Sequence, residues 1–315
     1  MRGRRGRPPH RHGLRGSGAP VPARRAGAWC ALRGGVLPRL RALAAPASEP
    51  VTEPGQPPVV LLHGAGADCA RLSWKHVLPR LATSGFPVLA PNLPGHGGTP
   101  EPEQPTTAAY RAWLARWLDR TGADRVCLVG LSLGGALALG YTLHHPERVL
   151  RVVLVASYGL SYRVPFHGLL RWLVRSRLQG LLAAPPLQGE WGLRLGLRLL
   201  VGDFQGVDTE LVEDVRRARA AASPGLFWRW LGTELELQRV RTCYRERLGE
   251  LRCPVLLVHG DRDRLVPLQD AQAASQAIPR GRLVVLRGCG HWPPRERPAE
   301  FWAHLGTFLA SAERR

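Results

Sequence analysis

The chain of 315 residues has 44% hydrophobic residues, 22% charged residues and a formal net charge of +20. This composition is typical of a globular protein and excludes collagen-like, coiled-coil and wholly disordered chains. The charge can attract nucleic acid nonspecifically, but the sequence lacks helix-turn-helix, zinc-finger and RNA-binding signatures, so we predict no specific nucleic-acid partner.

The N-terminal segment differs in composition from the rest of the chain. Residues 1–48 contain eleven arginines and no acidic residue. Such a segment cannot bury enough apolar surface to fold, so we predict that residues 1–50 are a disordered basic segment, or upstream sequence translated from a start site chosen too early. We predict a cytoplasmic location. Arginine without acids also fits an organelle transit peptide, which stays an open alternative. A secretory signal is excluded because no apolar run of roughly 7–15 residues precedes a cleavage site.

After this segment, short apolar runs alternate with helical patterns, which predicts an α/β fold with one open sheet. The runs are rich in Val and Leu, as in a mostly parallel, doubly wound sheet that is covered on both faces. The predicted strands are Pro58–Leu62, Pro87–Ala90, Val126–Val129, Val149–Val155, Pro254–Val258 and Leu283–Leu286. The predicted helices are Trp74–Thr83, Thr106–Arg120, Leu133–His144, Asp270–Ala277 and Arg297–Ala312.

The first strand is followed by His63-Gly64-Ala65-Gly66. Glycines let the backbone approach a substrate oxygen, so the N–H groups of Ala65 and Leu133 are candidates for an oxyanion hole. A plain turn at the end of the strand is the alternative for this segment. The later loop 94–98 is rich in turn residues, and we assign it no chemistry.

Residues 130–134 fit the pattern G-x-S-x-G, directly after a strand pattern and directly before a helix pattern. A sharp turn there would lift Ser132 Oγ out of the sheet edge, and the N-terminus of the following helix would favour a developing anion. Ser132 is therefore the candidate nucleophile; a solvated serine in a glycine-rich turn is the alternative. The glycines also divide the uncharged stretch Val126–Leu143, so we predict no transmembrane segment.

The alternation of strands and helices stops after Ser157. We predict a helical cap at residues 158–252, inserted into a core formed by residues 51–157 and 253–315. Its helical patterns are Gly168–Leu182, Trp191–Val201, Thr209–Ala222 and Leu226–Val240. The leucines and aromatic residues of this stretch favour a small apolar acyl or ester substrate.

A serine needs a base to take its proton and a third group to orient that base. Asp261 and Asp263 follow one late strand and His291 follows the next, so all three lie at the same sheet edge as Ser132. We favour Asp263 as the orienting carboxylate, with Asp261 organising the turn, and keep Asp261 as the alternative. The chain order Ser, Asp, His is the one expected for this type of triad.

Together these segments resemble the α/β-hydrolase superfamily over about residues 51–315. The matching pieces are HGAG at 63–66, NLPGHGGT at 92–99, GLSLGG at 130–135, HGDRDRLVP at 259–267 and GCGHW at 288–292. The resemblance implies an α/β-hydrolase fold with Ser132 as nucleophile, His291 as general base and acid, and Asp263 as orienting carboxylate. It implies no metal and no organic cofactor. Asn92 stands where many relatives carry aspartate, which affects the hydrogen bonding of that loop only.

The predicted function is that of a carboxylesterase-like serine hydrolase, which cleaves a carboxylic ester through an acyl-enzyme on Ser132. Carbon–carbon bond hydrolases and thioesterases share the serine pattern and stay open as alternatives. Two further alternatives belong to other classes of protein. One is a catalytically silent scaffold on the same fold, and the other is a membrane-surface protein that uses the basic segment and an amphipathic cap.

Overall fold

A computed structural model describes residues 57–176, 189–203 and 207–311. In this part of the chain, one sheet contains six strands: β1 Val59–Leu62, β2 Val88–Leu89, β3 Val126–Leu131, β4 Val149–Val155, β5 Val255–Gly260 and β6 Gly281–Leu286. All pairings are parallel and the strand order is β2-β1-β3-β4-β5-β6. The strand order reverses between β1 and β3, which confirms the predicted doubly wound sheet.

The sheet is covered on both faces, and this explains why its strands are continuous apolar runs. Every residue of β1, β3 and β5 is buried. Alternate residues of β1 enter two separate cores: Val60 and Leu62 lie in one cluster, while Val59 and Leu61 lie in the other. Because successive side chains of a strand point to opposite faces, both faces of the sheet need apolar residues.

The helices of the described residues lie between and after these strands. They are α1 Ala70–Ser73, α2 Leu78–Thr83, α3 Thr107–Thr121, α4 Leu133–His144, α5 His167–Arg175, α6 Glu190–Leu200, α7 Thr209–Ala220, α8 Leu226–Glu234, α9 Leu268–Ala277, α10 Pro293–Glu296 and α11 Pro298–Ala310. Short 3₁₀ turns occur at Pro146–Arg148 and Arg245–Glu250. In this part of the chain, no helix combines the length and the apolar character needed to cross a membrane.

Two predicted helices begin later in the structure than in the prediction, and a separate short helix precedes each of them. The pattern Trp74–Thr83 predicted one helix, but α1 ends before Trp74 and α2 begins at Leu78, with Pro79 in its first turn. Proline is tolerated there because the first N–H groups of a helix have no partner within it. The predicted helix Arg297–Ala312 likewise begins one residue later, at a proline, and the short α10 precedes it.

Helices α5 to α8 lie between β4 and β5, where the sequence predicts a cap. The predicted helix Leu226–Val240 ends at Glu234, and Leu235 and Val240 pair in an antiparallel bridge instead. The predicted helix at 168–182 ends at Arg175, and its last residues lie outside the described part of the chain. So does the predicted basic segment 1–50.

Backbone hydrogen bonds join the predicted cap to the loop after β2. Gly98 N donates to Ala221 O at 2.7 Å, and Ser223 N donates to Gly95 O at 2.8 Å. A second connection joins the predicted cap to α3. The buried carboxylate of Glu234 on α8 accepts a hydrogen bond from the Thr107 hydroxyl on α3. The end of α7 and the start of α8 are thereby held above the carboxyl edge of the sheet.

Candidate active site

Ser132 lies on a strained turn between β3 and α4. Its φ of 51° and ψ of −114° are rare for a residue with a side chain. A Cβ on Gly130 would lie 2.2 Å from Gly134 O, and a Cβ on Gly134 would lie 2.2 Å from Leu62 O. Only glycine fits on either side of the serine, which is the physical reason for the G-x-S-x-G spacing. The turn leaves Ser132 partly exposed at the end of β3.

The glycine loop after β1 passes beside this serine. A Cβ placed on Gly64 would lie 3.5 Å from Ser132 Cβ. Among the described residues, no hydrogen bond takes up the N–H of Ala65 or that of Leu133, which is the first residue of α4. Both N–H groups are therefore available to an oxygen, at the point where the strand order reverses.

The loops after β5 and β6 bring an aspartate and a histidine together. The shortest contact joins His291 Nδ1 to Asp263 Oδ2 at 2.8 Å. The other carboxylate oxygen, Oδ1, accepts the N–H groups of Leu265 at 2.8 Å and Val266 at 3.0 Å. His259 Nε2 lies 3.3 Å from Asp263 Oδ2. These contacts fix the orientation of the carboxylate.

The same contacts set the protonation of the pair. Burial raises the pKa of Asp263, but the attraction and hydrogen bonds of His291 and His259 outweigh it and hold this pKa below its usual range. Burial lowers the pKa of His291, but the neighbouring Asp263 outweighs it and raises this pKa above 6.5. A charged carboxylate on Nδ1 favours the tautomer in which Nε2 is the free base.

The structure distinguishes the two aspartates that the sequence left open. Asp261 is exposed, and its Oδ1 accepts the N–H of Gly288 at 2.7 Å. The carboxylate that contacts His291 is Asp263. Within the described residues, no hydrogen bond joins Ser132 to His291, so the structure places the serine and the Asp–His pair at one edge without a direct bond between them. Such bonds are often long without substrate and tighten in the reacting complex.

A buried acid that sequence reasoning missed lies close to the glycine loop. Asp68 is 4% exposed, and its carboxylate accepts the N–H of Gly64 at 2.8 Å and of Cys69 at 2.7 Å. The Ser73 hydroxyl also donates to it, and burial raises the pKa of Asp68 to about 7. The sequence offered one signal for a buried acid at this place. It is an aspartate that follows a glycine-rich turn and has no basic residue directly beside it.

Aromatic side chains of α8 lie above the glycine loop. Phe227 Cδ2 is 3.9 Å from the place where a Cβ on Gly66 would lie. The Phe227 ring also packs against Trp228 and Trp230, with centroid distances of 5.0 and 5.9 Å. An apolar surface therefore lies beside the candidate oxyanion donors. Asn92 has a structural role here, because its amide bridges Ala70 N and Gly97 O.

The comparison with protein families decides the identity of the fold. Residues 59–304 match the Alpha/beta hydrolase family. The chain belongs to this family. The six-stranded parallel sheet and its helices are thus an α/β-hydrolase fold, and the chain is a hydrolase, as the sequence resemblance implied.

The relatives of this α/β hydrolase include enzymes with different substrates. The 2-hydroxymuconate semialdehyde hydrolase of Pseudomonas sp. (strain CF600) is 31% identical over 274 residues, which cover 81% of this chain and 88% of the relative. The pimeloyl-(acyl-carrier protein) methyl ester esterase of Aromatoleum aromaticum is 33% identical over 254 residues, which cover 78% and 95%. The solved structure of the 2-hydroxy-6-oxo-6-phenylhexa-2,4-dienoate hydrolase from Rhodococcus sp. strain RHA1 has a TM-score of 0.64 and 28% identity, covering 82% and 90%.

Proposed function

We propose that this chain is a serine hydrolase in which Ser132 is the nucleophile, His291 the general base and acid, and Asp263 the orienting carboxylate. The observation that carries the proposal is the hydrogen-bonded Asp263–His291 pair, which lies at the same sheet edge as a partly exposed serine on a strained turn. A serine beside a histidine that is oriented by a carboxylate is the arrangement needed to activate a hydroxyl.

The proposed reaction has two stages. Ser132 Oγ bonds to a substrate carbonyl carbon while its proton passes to His291 Nε2, and the N–H groups of Ala65 and Leu133 stabilise the oxyanion. His291 then protonates the leaving group as its bond to the acyl carbon breaks. Water enters, gives a proton to His291 and attacks the acyl-enzyme. The bond between the acyl carbon and Ser132 Oγ then breaks, and His291 returns the proton to Oγ as the acid is released. The charge of Asp263 stabilises the imidazolium in both stages.

We favour a carbon–carbon bond as the one cleaved. Two of the relatives reported above are hydrolases of a 2-hydroxymuconate semialdehyde and of a 2-hydroxy-6-oxo-6-phenylhexa-2,4-dienoate. The 6-oxo group of the latter is a ketone, so nucleophilic attack at that carbonyl makes the neighbouring carbon the leaving group. The Phe227 ring beside Gly66 is suited to pack against an apolar or aryl acyl substituent.

A carboxylic ester, the substrate predicted from the sequence, is the second candidate. The 33% identity to a methyl ester esterase supports it. The acyl-enzyme chemistry is the same in both cases, and the two reactions differ in whether His291 protonates a carbon or an oxygen. The leaving group therefore decides between the candidates.

The first experiment asks whether Ser132 is a nucleophile. We expect a fluorophosphonate probe to label the full chain and to leave Ser132→Ala unlabelled. If the wild-type chain is not labelled, the mechanism fails and a catalytically silent scaffold takes its place. Co-sedimentation with vesicles, with and without residues 1–48, tests the membrane-surface alternative on the same preparation.

The second experiment asks which bond is cleaved. The substrates are a 6-aryl-2-hydroxy-6-oxo-2,4-dienoate, p-nitrophenyl esters of graded acyl length and a thioester of one of the same acyl groups. We expect the dienoate to be consumed with the highest kcat/KM and Ser132→Ala to be inactive. Ester turnover with an inert dienoate would instead assign the carboxylesterase function, and preference for the thioester would assign a thioesterase.

A further inference from the structure

Asp68 connects two loops of the candidate active site. Its first partner is Gly64 N, 2.8 Å from Oδ2, in the loop that carries the candidate oxyanion donor Ala65. Its second partner is the Ser73 hydroxyl, 2.7 Å from Oδ2 and 2.8 Å from Oδ1. Ser73 Oγ in turn lies 2.9 Å from Nε1 of Trp292, the residue that follows His291. One buried carboxylate thus links the glycine loop to the loop of the proposed base.

The direction of each hydrogen bond in this network is determined by chemistry. An indole N–H only donates, so Trp292 donates to Ser73 Oγ and the Ser73 hydroxyl hydrogen points to Asp68. The backbone N–H groups of Gly64 and Cys69 also only donate. Asp68 therefore accepts from three donors, which is the pattern that an ionised carboxylate satisfies.

Several charged and titratable groups face this carboxylate. Burial opposes its charge and raises the pKa of Asp68 to about 7, while the hydrogen bonds and the nearby Arg295 act in the opposite direction. His63 Nδ1 lies 3.9 Å from Asp68 Oδ2, and burial keeps the pKa of His63 well below 6.5, so that ring is neutral at pH 7. Burial and then the charge of Asp68 raise the pKa of the Cys69 thiol. The pKa of His291 is raised mainly by Asp263, with smaller contributions from Glu296 and Asp68.

We propose that Asp68 is a positioning residue of the hydrolase site, which as a carboxylate holds the Gly64 loop and, through Ser73, the Trp292 loop in their relative places. With Gly64 N–H held by Asp68, the N–H of Ala65 is left to face the reacting oxygen. The inference rests on the proposed function, because the two loops matter together only when Ala65 and His291 act on one substrate.

The experiment compares Asp68→Asn and Ser73→Ala with the wild type in the full chain. We expect Asp68→Asn to lower kcat by about 10–100-fold with KM changed less than about threefold, because loosened donors misplace the transition state more than the bound substrate. Ser73→Ala removes the link to Trp292 and one of the three donors to Asp68 but leaves Gly64 N–H in place, so its loss is smaller, about 3–10-fold. Asp208→Asn is the matched control, since that exposed carboxylate also accepts a backbone N–H, from Leu211 of the helix that follows it.

The pH profile separates positioning from folding. Asp263, then Glu296 and then Asp68 raise the pKa of His291, so Asp68→Asn should move the acidic limb of kcat/KM to lower pH. Ser73→Ala removes a hydrogen bond that lowers the pKa of Asp68, so it should move the limb to higher pH. Wild-type kcat in Asp68→Asn, or a rise in KM as large as the fall in kcat, overturns the inference. If Asp68→Asn does not fold, wild-type kcat in Ser73→Ala overturns it. A wild-type chain that the fluorophosphonate does not label overturns the proposed function as well.

Discussion

Replacement of Asp263 by asparagine perturbs the contact on which the proposed mechanism depends. The amide oxygen can still accept the N–H groups of Leu265 and Val266, as Oδ1 of the carboxylate does. The amide nitrogen then takes the place of Oδ2, 2.8 Å from His291 Nδ1. Two N–H groups cannot bond to each other, so the ring must carry its proton on Nε2 or rotate away. In either case, Nε2 cannot accept the proton of Ser132.

The expected loss follows from two effects of this change. The hydrogen bond between the charged partners contributes about 1.5–3 kcal/mol. The unfavourable tautomer adds to this, and the same substitution in a serine protease triad lowers kcat about 10⁴-fold. We therefore expect kcat/KM to fall by about 10³–10⁴-fold, which corresponds to about 4–5.5 kcal/mol of lost transition-state stabilisation.

The assay is kcat/KM on the best substrate of the panel, with thermal unfolding to show that the variant is folded. Asp261→Asn is the matched control, because the exposed carboxylate of Asp261 bonds to Gly288 N and not to His291. We expect that control to stay within about tenfold of the wild type. A greater loss in Asp261→Asn than in Asp263→Asn would refute the assignment of Asp263.

Three further predictions follow from the same geometry. The wild-type kcat/KM should fall on the acidic side of a pKa above 6.5, because Asp263 raises the pKa of His291 and only the neutral ring accepts a proton. In Asp263→Asn, a pH titration of any remaining activity should show a lower pKa for His291. Gly134→Ala places a Cβ 2.2 Å from Leu62 O and should lower the free energy of unfolding by at least about 1–3 kcal/mol in urea titrations. Phe227→Ala should raise KM about 3–10-fold for an aryl substrate and less for an acetyl ester.

The sheet could be predicted from the sequence because burial on both faces leaves an unbroken apolar run. The predicted bounds of β4, Val149–Val155, are the observed ones, and a charged 3₁₀ turn precedes the strand. The turn at residues 74–77, where the sequence predicts the start of a helix, could not be recognised in the same way. Trp74 and Val77 are fully buried and fit a helical period, although the chain between α1 and α2 is a turn. The period of the apolar residues indicates which face of a helix is buried, but it does not indicate where the helix begins or is interrupted.

The parts of the candidate site that lie within a single loop could be predicted from the sequence. The sequence around Ser132 requires a tight strand-to-helix turn, and this requirement is visible in Gly130, Ser132 and Gly134, which stand at alternate positions. The choice between Asp261 and Asp263 depended on tertiary geometry, because both follow β5 within three residues. Two backbone N–H groups of the next turn aim Asp263 at His291, and no sequence pattern reports that direction.

The link between Asp68 and the His291 loop lay beyond sequence reasoning for a further reason: Trp292 and Ser73 are 219 residues apart, and Ser73 belongs to none of the motifs found in the sequence. When two acids of one site have pKa values shifted in opposite directions by their surroundings, the two groups usually have different roles. Asp263 has a lowered pKa and stays charged across the neutral range, whereas burial raises the pKa of Asp68 to about 7. If both groups act on His291 as inferred, the wild-type acidic limb contains two ionisations, and that of Asp68→Asn contains one.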